Sequence, residues 1–391
     1  MLAAMHMPQA LETPLTQPVA AVTAHHAGFN ALRASLTLLV LFHHTAITYG
    51  ALGGWYFHEI TPDKSVATIL LVLFCSVNQA YFMGLFFLLT GYYSPAALHR
   101  KGSVLFLLDR SQRLGLPLLF YGWILGPITI ALAAIGNGHS FTRTLLFLWR
   151  HATFDSGPLW FAQALLIFSL GYVLVAWLVA ALSRRRAPQP RSPRPFPTNL
   201  SLLVAAVGTG VAALILRVYW PVGVNLWNLQ LGYFASYILL FATGCSAAQP
   251  RWLEHLPPAQ VRLWWRIALV VFPLLPLLYF LGQVFPPLRG RPVAIAYAFW
   301  EPLLAWGIIL YLLDWFQRRV TRLNTLWHAL SRRAYTIYII HPPVLVAITL
   351  LWRTVPAYPL VKVAVTGSLT CLVCFLVAGG LLRVPGLRRV V

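Results

Sequence analysis

Acidic residues are scarce in this chain of 391 residues: eight Asp and Glu stand against 29 Lys and Arg, and charged residues make up only 9%. A soluble domain carries about 25% charged residues. With 59% hydrophobic residues, the composition excludes an ordinary soluble fold and fits a polytopic membrane protein. Cysteine is also rare. Cys75, Cys245, Cys371 and Cys374 all fall in apolar runs. Cys371 and Cys374 form a C-x-x-C with no neighbouring His or acid and no βαβ pattern around it, so no metal site and no disulfide is expected. A net charge of +21 would suit a nucleic-acid partner, but the basic residues sit in short segments between apolar spans. Anionic lipid headgroups and an anionic cofactor are the expected partners, with no nucleic acid. Residues 1–28 lack the basic start and apolar core of a secretory signal and read as a flexible cytoplasmic tail.

Apolar runs recur at lengths that fit helices of about 20 residues. The expected fold is all-α, with ten transmembrane spans near 31–52, 67–93, 114–135, 158–182, 200–219, 233–248, 266–284, 294–313, 334–352 and 360–382. The apolar segment 141–151 is too short to cross, and is placed at the interface or as a re-entrant piece. With the N-terminus inside, the inner segments hold 21 Lys and Arg and the outer ones eight. That asymmetry, and the even number of spans, put both termini in the cytoplasm. The transmembrane domain is expected over 29–383, interrupted by a disordered basic, Pro-rich cytoplasmic loop at 183–198 and followed by a short basic tail at 384–391. No internal repeat is visible.

Arg33 and His44 are eleven steps apart on the first span. Eleven steps of 100° leave both side chains on one face, roughly 16 Å apart along the axis. An arginine at the membrane edge then shares a face with a histidine near the midplane, where an ionisable group marks function by default. His43 points about 100° away and is read first as structural. The second span ends in Phe86-Phe87-Leu88-Leu89-Thr90-Gly91, whose small residues allow close helix approach. Arg110 and Arg113 share a helix face at the next cytoplasmic edge. Two guanidinium forks so placed can hold phosphates, or can merely anchor the helix. Glu301 lies inside a span at the depth of the outer half. It could orient or charge-stabilise a histidine or bind a polar acceptor, or else serve as structural partner to an Arg or a Trp N–H. His341 precedes Pro342-Pro343, which should break or kink the ninth span and line a cavity. Glu59, Asp63 and Asp155 are expected to be solvated at the outer mouths.

These residues together resemble the membrane-bound acyltransferase family 3. Its marks are R-x10-H on the first helix, Phe-Phe-x-x-Ser-Gly closing the second, and R-x-x-R at the following cytoplasmic edge. Thr90 stands where the family usually has Ser, which keeps a hydroxyl. The runs Gly157-Pro158-Leu159-Trp160-Phe161 and Tyr338-Ile339-Ile340-His341-Pro342 are similar to those of glucan-modifying members. The resemblance implies an acyl-CoA-dependent O-acyltransferase in a bacterial inner membrane. Acetyl is the first expected group and succinyl the second, and the acceptor is a hydroxyl of a carbohydrate or polyol such as a periplasmic glucan. On that reading Arg110, Arg113 and Arg33 hold CoA phosphates. His44 is general base or transient acyl carrier, with Arg33 and Glu301 in support. His43, Thr90 and His341 line the cavity, and no metal is needed. A ten-helix proton-coupled transporter or exporter, with His44 and Glu301 as relay groups, is the alternative. The oligomeric state is not legible.

Overall fold

A computed structural model describes residues 19–183, 194–288 and 290–387. Helices are the regular elements of the described residues, joined by connections that hold one isolated bridge, between Leu226 and Leu229. In order, α1 is Val19–Thr48, α2 Val66–Arg110, α3 Leu116–Phe120, α4 Gly126–Gly136, α5 Phe141–Arg150 and α6 Trp160–Ser183. Then come α7 Asn199–Tyr219, α8 Phe234–Ala248, α9 Pro258–Val271, α10 Leu274–Val284, α11 Arg291–Arg319, α12 Thr325–Trp352 and α13 Pro359–Leu381.

Among the described residues, nine helical stretches are long and apolar enough to cross a membrane. One of them, Val66–Gly136, has 71 residues and would be about 107 Å long if straight. Gly102 breaks it with φ 72° and ψ 168°, a backbone that only glycine adopts freely. The far end comes back to the near end. A Cβ on Gly136 would meet the ring of Phe57, in the connection between α1 and α2, at 2.2 Å. The stretch therefore crosses twice. Counted so, the described residues make ten crossings, and both ends of the described chain lie on the Arg-rich face.

Several boundaries differ from the sequence expectation. α1 begins at Val19, ten residues before the expected start of the domain at 29, and residues 1–18 lie outside the described residues. α2 continues beyond 93 through His99-Arg100-Lys101, which extends the helix instead of leaving it, and a second helical piece after the Gly102 break runs to Arg110. The seventh crossing starts at Pro258 and is broken between α9 and α10. Most of the loop expected to be disordered, 184–193, lies outside the described residues. Its last part is pinned: the Arg194 and Pro197 carbonyls accept hydrogen bonds from Trp252 Nε1 and Gln260 Nε2, both at 2.9 Å. The tail residues 388–391 also lie outside. α5 is a ten-residue helix, about 15 Å long and too short to cross. It buries Leu148 and leaves Leu146 and Phe147 exposed, as an interfacial helix does.

α1 packs among α2, α11, α12 and α13. α2 and α8 touch backbone to backbone, since a Cβ on Gly91 would lie 2.2 Å from the Phe241 carbonyl oxygen. This is the close approach that the Thr90-Gly91 pair implies.

Prolines set the local chemistry of the bundle. A proline inside a helix leaves the carbonyl four residues earlier without its amide partner. Pro117, Pro127 and Pro342 do this to Arg113, Trp123 and Tyr338. Each of those carbonyls is taken by a side chain: Tyr335 Oη at 2.9 Å, Trp149 Nε1 at 3.2 Å and His341 Nδ1 at 2.7 Å. π-helical turns at Ser111–Gly115 and Tyr121–Leu125 precede or flank the first two prolines.

Candidate functional site

The third proline bond builds the centre of the site. A carbonyl oxygen only accepts, so the bond to Tyr338 places the His341 proton on Nδ1 and leaves Nε2 as an acceptor. His44 Nδ1 lies 3.0 Å from that Nε2, so His44 also carries its proton on Nδ1. Its Nε2 keeps a lone pair, and none of the described residues bonds it. Two imidazoles in series thus hold His44 in the tautomer that can take a proton. His341 is fully buried and His44 half-buried.

Trp55 covers the other side of His44. The indole lies nearly parallel to the imidazole, at 11° with centroids 4.1 Å apart. A face so placed steadies the ring. Trp55 comes from the connection between α1 and α2, which has no periodic pattern to announce it. Its Nε1 is buried without a hydrogen-bond partner.

His44, Trp55 and Tyr338 line a cavity of about 770 Å³. The residues around its mouth belong to the connections on the face opposite the Arg-rich one. Its walls carry Tyr56, Gln79, Asp155, Trp160, Asn228 and Tyr233. Gln79 Nε2 donates to Tyr237 Oη at 2.9 Å. Tyr56 donates to Asp155, and its hydroxyl lies 3.1 Å from that of Tyr121. Burial, together with Tyr121 and Asp155, pushes the Tyr56 phenol well above its usual range, so it stays a donor. Asp155 is therefore half-buried and bonded, and not solvated as expected. Gly157 makes this contact possible: its φ is 43°, and a Cβ there would stand 2.1 Å from Tyr56 Oη. The Gly157-Pro158-Leu159-Trp160 motif thus sets the cavity wall, and the Pro158 carbonyl accepts from Tyr338 Oη.

The other singled-out residues divide. His43 lines the cavity, with its ring 5.0 Å from Phe82 and Nδ1 buried without a partner. His341 stands one ring behind the wall. Thr90 is half-buried and is not among the lining residues. Glu301 does not meet a histidine. It pairs with Arg217, whose guanidinium also donates to the Gly232 carbonyl at 3.1 Å and lies over Tyr233 and Tyr297. Of its two sequence readings, the geometry matches the structural partner of an Arg. Glu59 is likewise not solvated: it forms a buried pair with Lys362. Asp63 is exposed as expected and accepts from Thr68 Oγ1 at 2.7 Å near the start of α2.

At the Arg-rich end, Arg33 is exposed and Arg110 half-buried, and the two are electrostatic neighbours. Arg110 lies over the Phe106 ring at 5.2 Å, with Nε unpartnered. Arg113 is more exposed and tied to Asp109 at 3.2 Å. The R-x-x-R pair is thus unequal: Arg110 stands near Arg33, while Arg113 is bonded to Asp109, which it shares with Lys101.

A family model described as an acyltransferase domain, Acyl_transf_3, matches residues 26–379. No curated relative and no solved structure matches the chain. The matched region runs from the start of the α1 crossing almost to the end of α13 and contains the histidine relay, the cavity and the arginine cluster: the chain belongs to membrane-bound acyltransferase family 3.

Proposed function

We propose that this membrane acyltransferase moves an acyl group from acyl-CoA at its Arg-rich, cytoplasmic face to a hydroxyl of a carbohydrate held in the opposite cavity. Acetyl is the first candidate and succinyl the second. A periplasmic glucan or envelope polysaccharide is the acceptor, and a bacterial inner membrane the setting. The observation that carries the reading is the Tyr338–His341–His44 relay, which ends in a free Nε2 lone pair at the cavity wall.

Arg110 and Arg33 bind CoA phosphates, and Arg113 adds charge from the rim. The thin pantetheine arm runs roughly 16 Å along α1 from Arg33 to His44. His44 Nε2 takes the proton of the acceptor hydroxyl as its oxygen attacks the thioester carbonyl carbon. The C–S bond then breaks, and the leaving thiolate receives that proton from the imidazolium. His341 holds the ring orientation throughout, and the Trp55 face steadies the ring between the two transfers. The same lone pair serves if the imidazole first carries the acyl group itself. Family membership favours transfer over proton-coupled export, and the engagement of Glu301 by Arg217 removes the second relay group that export would use.

Purified protein in lipid vesicles, supplied with acetyl-CoA or succinyl-CoA and a crude envelope-glycan extract, tests this. Saturable acyl-CoA binding and glycan-dependent release of free CoA are expected. Folded protein that binds neither acyl-CoA overturns the reading.

A further inference from the structure

Between α7 and α8 the chain reverses sharply beside the cavity. Leu226 and Leu229 exchange both backbone hydrogen bonds at 2.9 Å, so only Trp227 and Asn228 form the turn. Both have positive φ, 51° and 63°, the pair of left-handed residues that a two-residue hairpin turn requires. Asn tolerates that conformation; a bulky side chain there is an outlier. Strained backbone persists where its surroundings hold it, and here Gln163 Nε2, from the first turn of α6, donates to the Trp227 carbonyl at 3.1 Å. The side chain itself is not held. Trp227 is 80% exposed, so packing within this chain does not account for a tryptophan at a position that suits Asn or Gly.

The neighbouring residues indicate the ligand. Asn225, Asn228 and Gln230 line the cavity near the aromatic rings of Tyr56, Trp160 and Tyr233. Amides that both donate and accept, set beside aromatic faces, match a polyhydroxylated ring: hydroxyls pair with the amides, and C–H faces lie on the rings. The cavity, at about 770 Å³, has the size of a single small-molecule site. Asn225, Asn228 and Gln230 of this turn stand at the cavity, and Trp227 lies just outside its lining, where a longer acceptor leaving over the turn would meet it.

We infer that Trp227 is a second acceptor subsite, stacking on a sugar ring adjacent to the one acylated, so that the acceptor is an oligo- or polysaccharide chain leaving over the Asn225–Gln230 turn. This rests on the proposed acceptor role of the cavity.

The test compares wild type, Trp227→Ala and Trp227→Phe in vesicles with acetyl-CoA. Envelope glycan is divided into a mono- and disaccharide fraction and a long-chain fraction. In Trp227→Ala, KM for the long-chain fraction rises about tenfold, the scale of one aromatic contact. KM for the short fraction and the slow release of CoA to water stay at wild-type values, and Trp227→Phe behaves as wild type. An unchanged KM for long chains overturns the subsite and leaves Trp227 as an interfacial anchor. An equal rise for both fractions also overturns it, since the residue then belongs to the first sugar's site. If wild type binds acetyl-CoA but acylates neither fraction, the acceptor reading falls and this inference falls with it.

Discussion

His44 Nδ1 stands 3.0 Å from His341 Nε2, across 297 residues of chain. The bond joins α1 to α12, and its direction is set by the Tyr338 carbonyl on the far side of His341. His341→Ala removes the acceptor for the His44 N–H and frees the ring to change tautomer. The expected loss is about 100-fold in kcat, the scale for losing an orienting partner, with KM for acyl-CoA little changed. Steady-state kinetics in vesicles decide it, and wild-type kcat in this variant would remove the relay from the mechanism.

Pro342 is the reason that the Tyr338 carbonyl is available. Pro342→Ala restores an amide donor and draws the carbonyl back into the helix. The His341 ring then shifts relative to His44. Roughly tenfold lower kcat is expected, in keeping with the sensitivity of catalysis to small misplacements, with no loss of thermal stability. A variant as active as wild type would show that Pro342 does not position the ring.

Arg110 and Arg113 are expected to separate kinetically. Arg110→Ala raises KM for acyl-CoA about tenfold or more, as loss of a charge-assisted contact does. Arg113→Ala, already paired with Asp109, gives a smaller rise, and neither changes KM for the glycan. Equal effects of the two variants would mean that both forks hold the same phosphates.

Glu301 is expected to act on stability. Glu301→Gln leaves Arg217 charged and buried without its partner. Breaking such a pair costs about 3–5 kcal/mol, read as a lower melting temperature in detergent. Activity per folded molecule stays close to wild type. Unchanged melting with lost activity would return Glu301 to the chemistry.

The fold was legible where the signal is local. Apolar runs counted the crossings, because a lipid-spanning helix must hold its own backbone bonds and therefore shows its length in sequence. The shared face of Arg33 and His44 followed from helix geometry alone. The two prolines after His341 do not break the span, since α12 runs without interruption from Thr325 to Trp352; Pro342 acts instead by freeing the Tyr338 carbonyl for His341. Contacts made by the bundle were not legible. Glu301 finds Arg217 at a distance of 84 residues, and Glu59 finds Lys362 at 303; no periodicity links either pair. Trp55 and Tyr56 lie in a connection, so their place against His44 and Asp155 exists only once α1, α2 and α6 have packed. Asp155 looked solvated because a loop carboxylate usually is, and only the approach allowed by Gly157 brings Tyr56 to it.

The most direct test of the central claim is release of free CoA from acetyl-CoA by purified His44→Ala in vesicles, alongside wild type, with envelope glycan present and acetyl-CoA binding measured on the same samples. The account predicts that both proteins bind acetyl-CoA, and that glycan-dependent release by His44→Ala is lower by a factor on the order of 10² to 10⁴, the contribution of a general base. Equal release by both proteins would contradict it and remove His44 from the centre of the reaction.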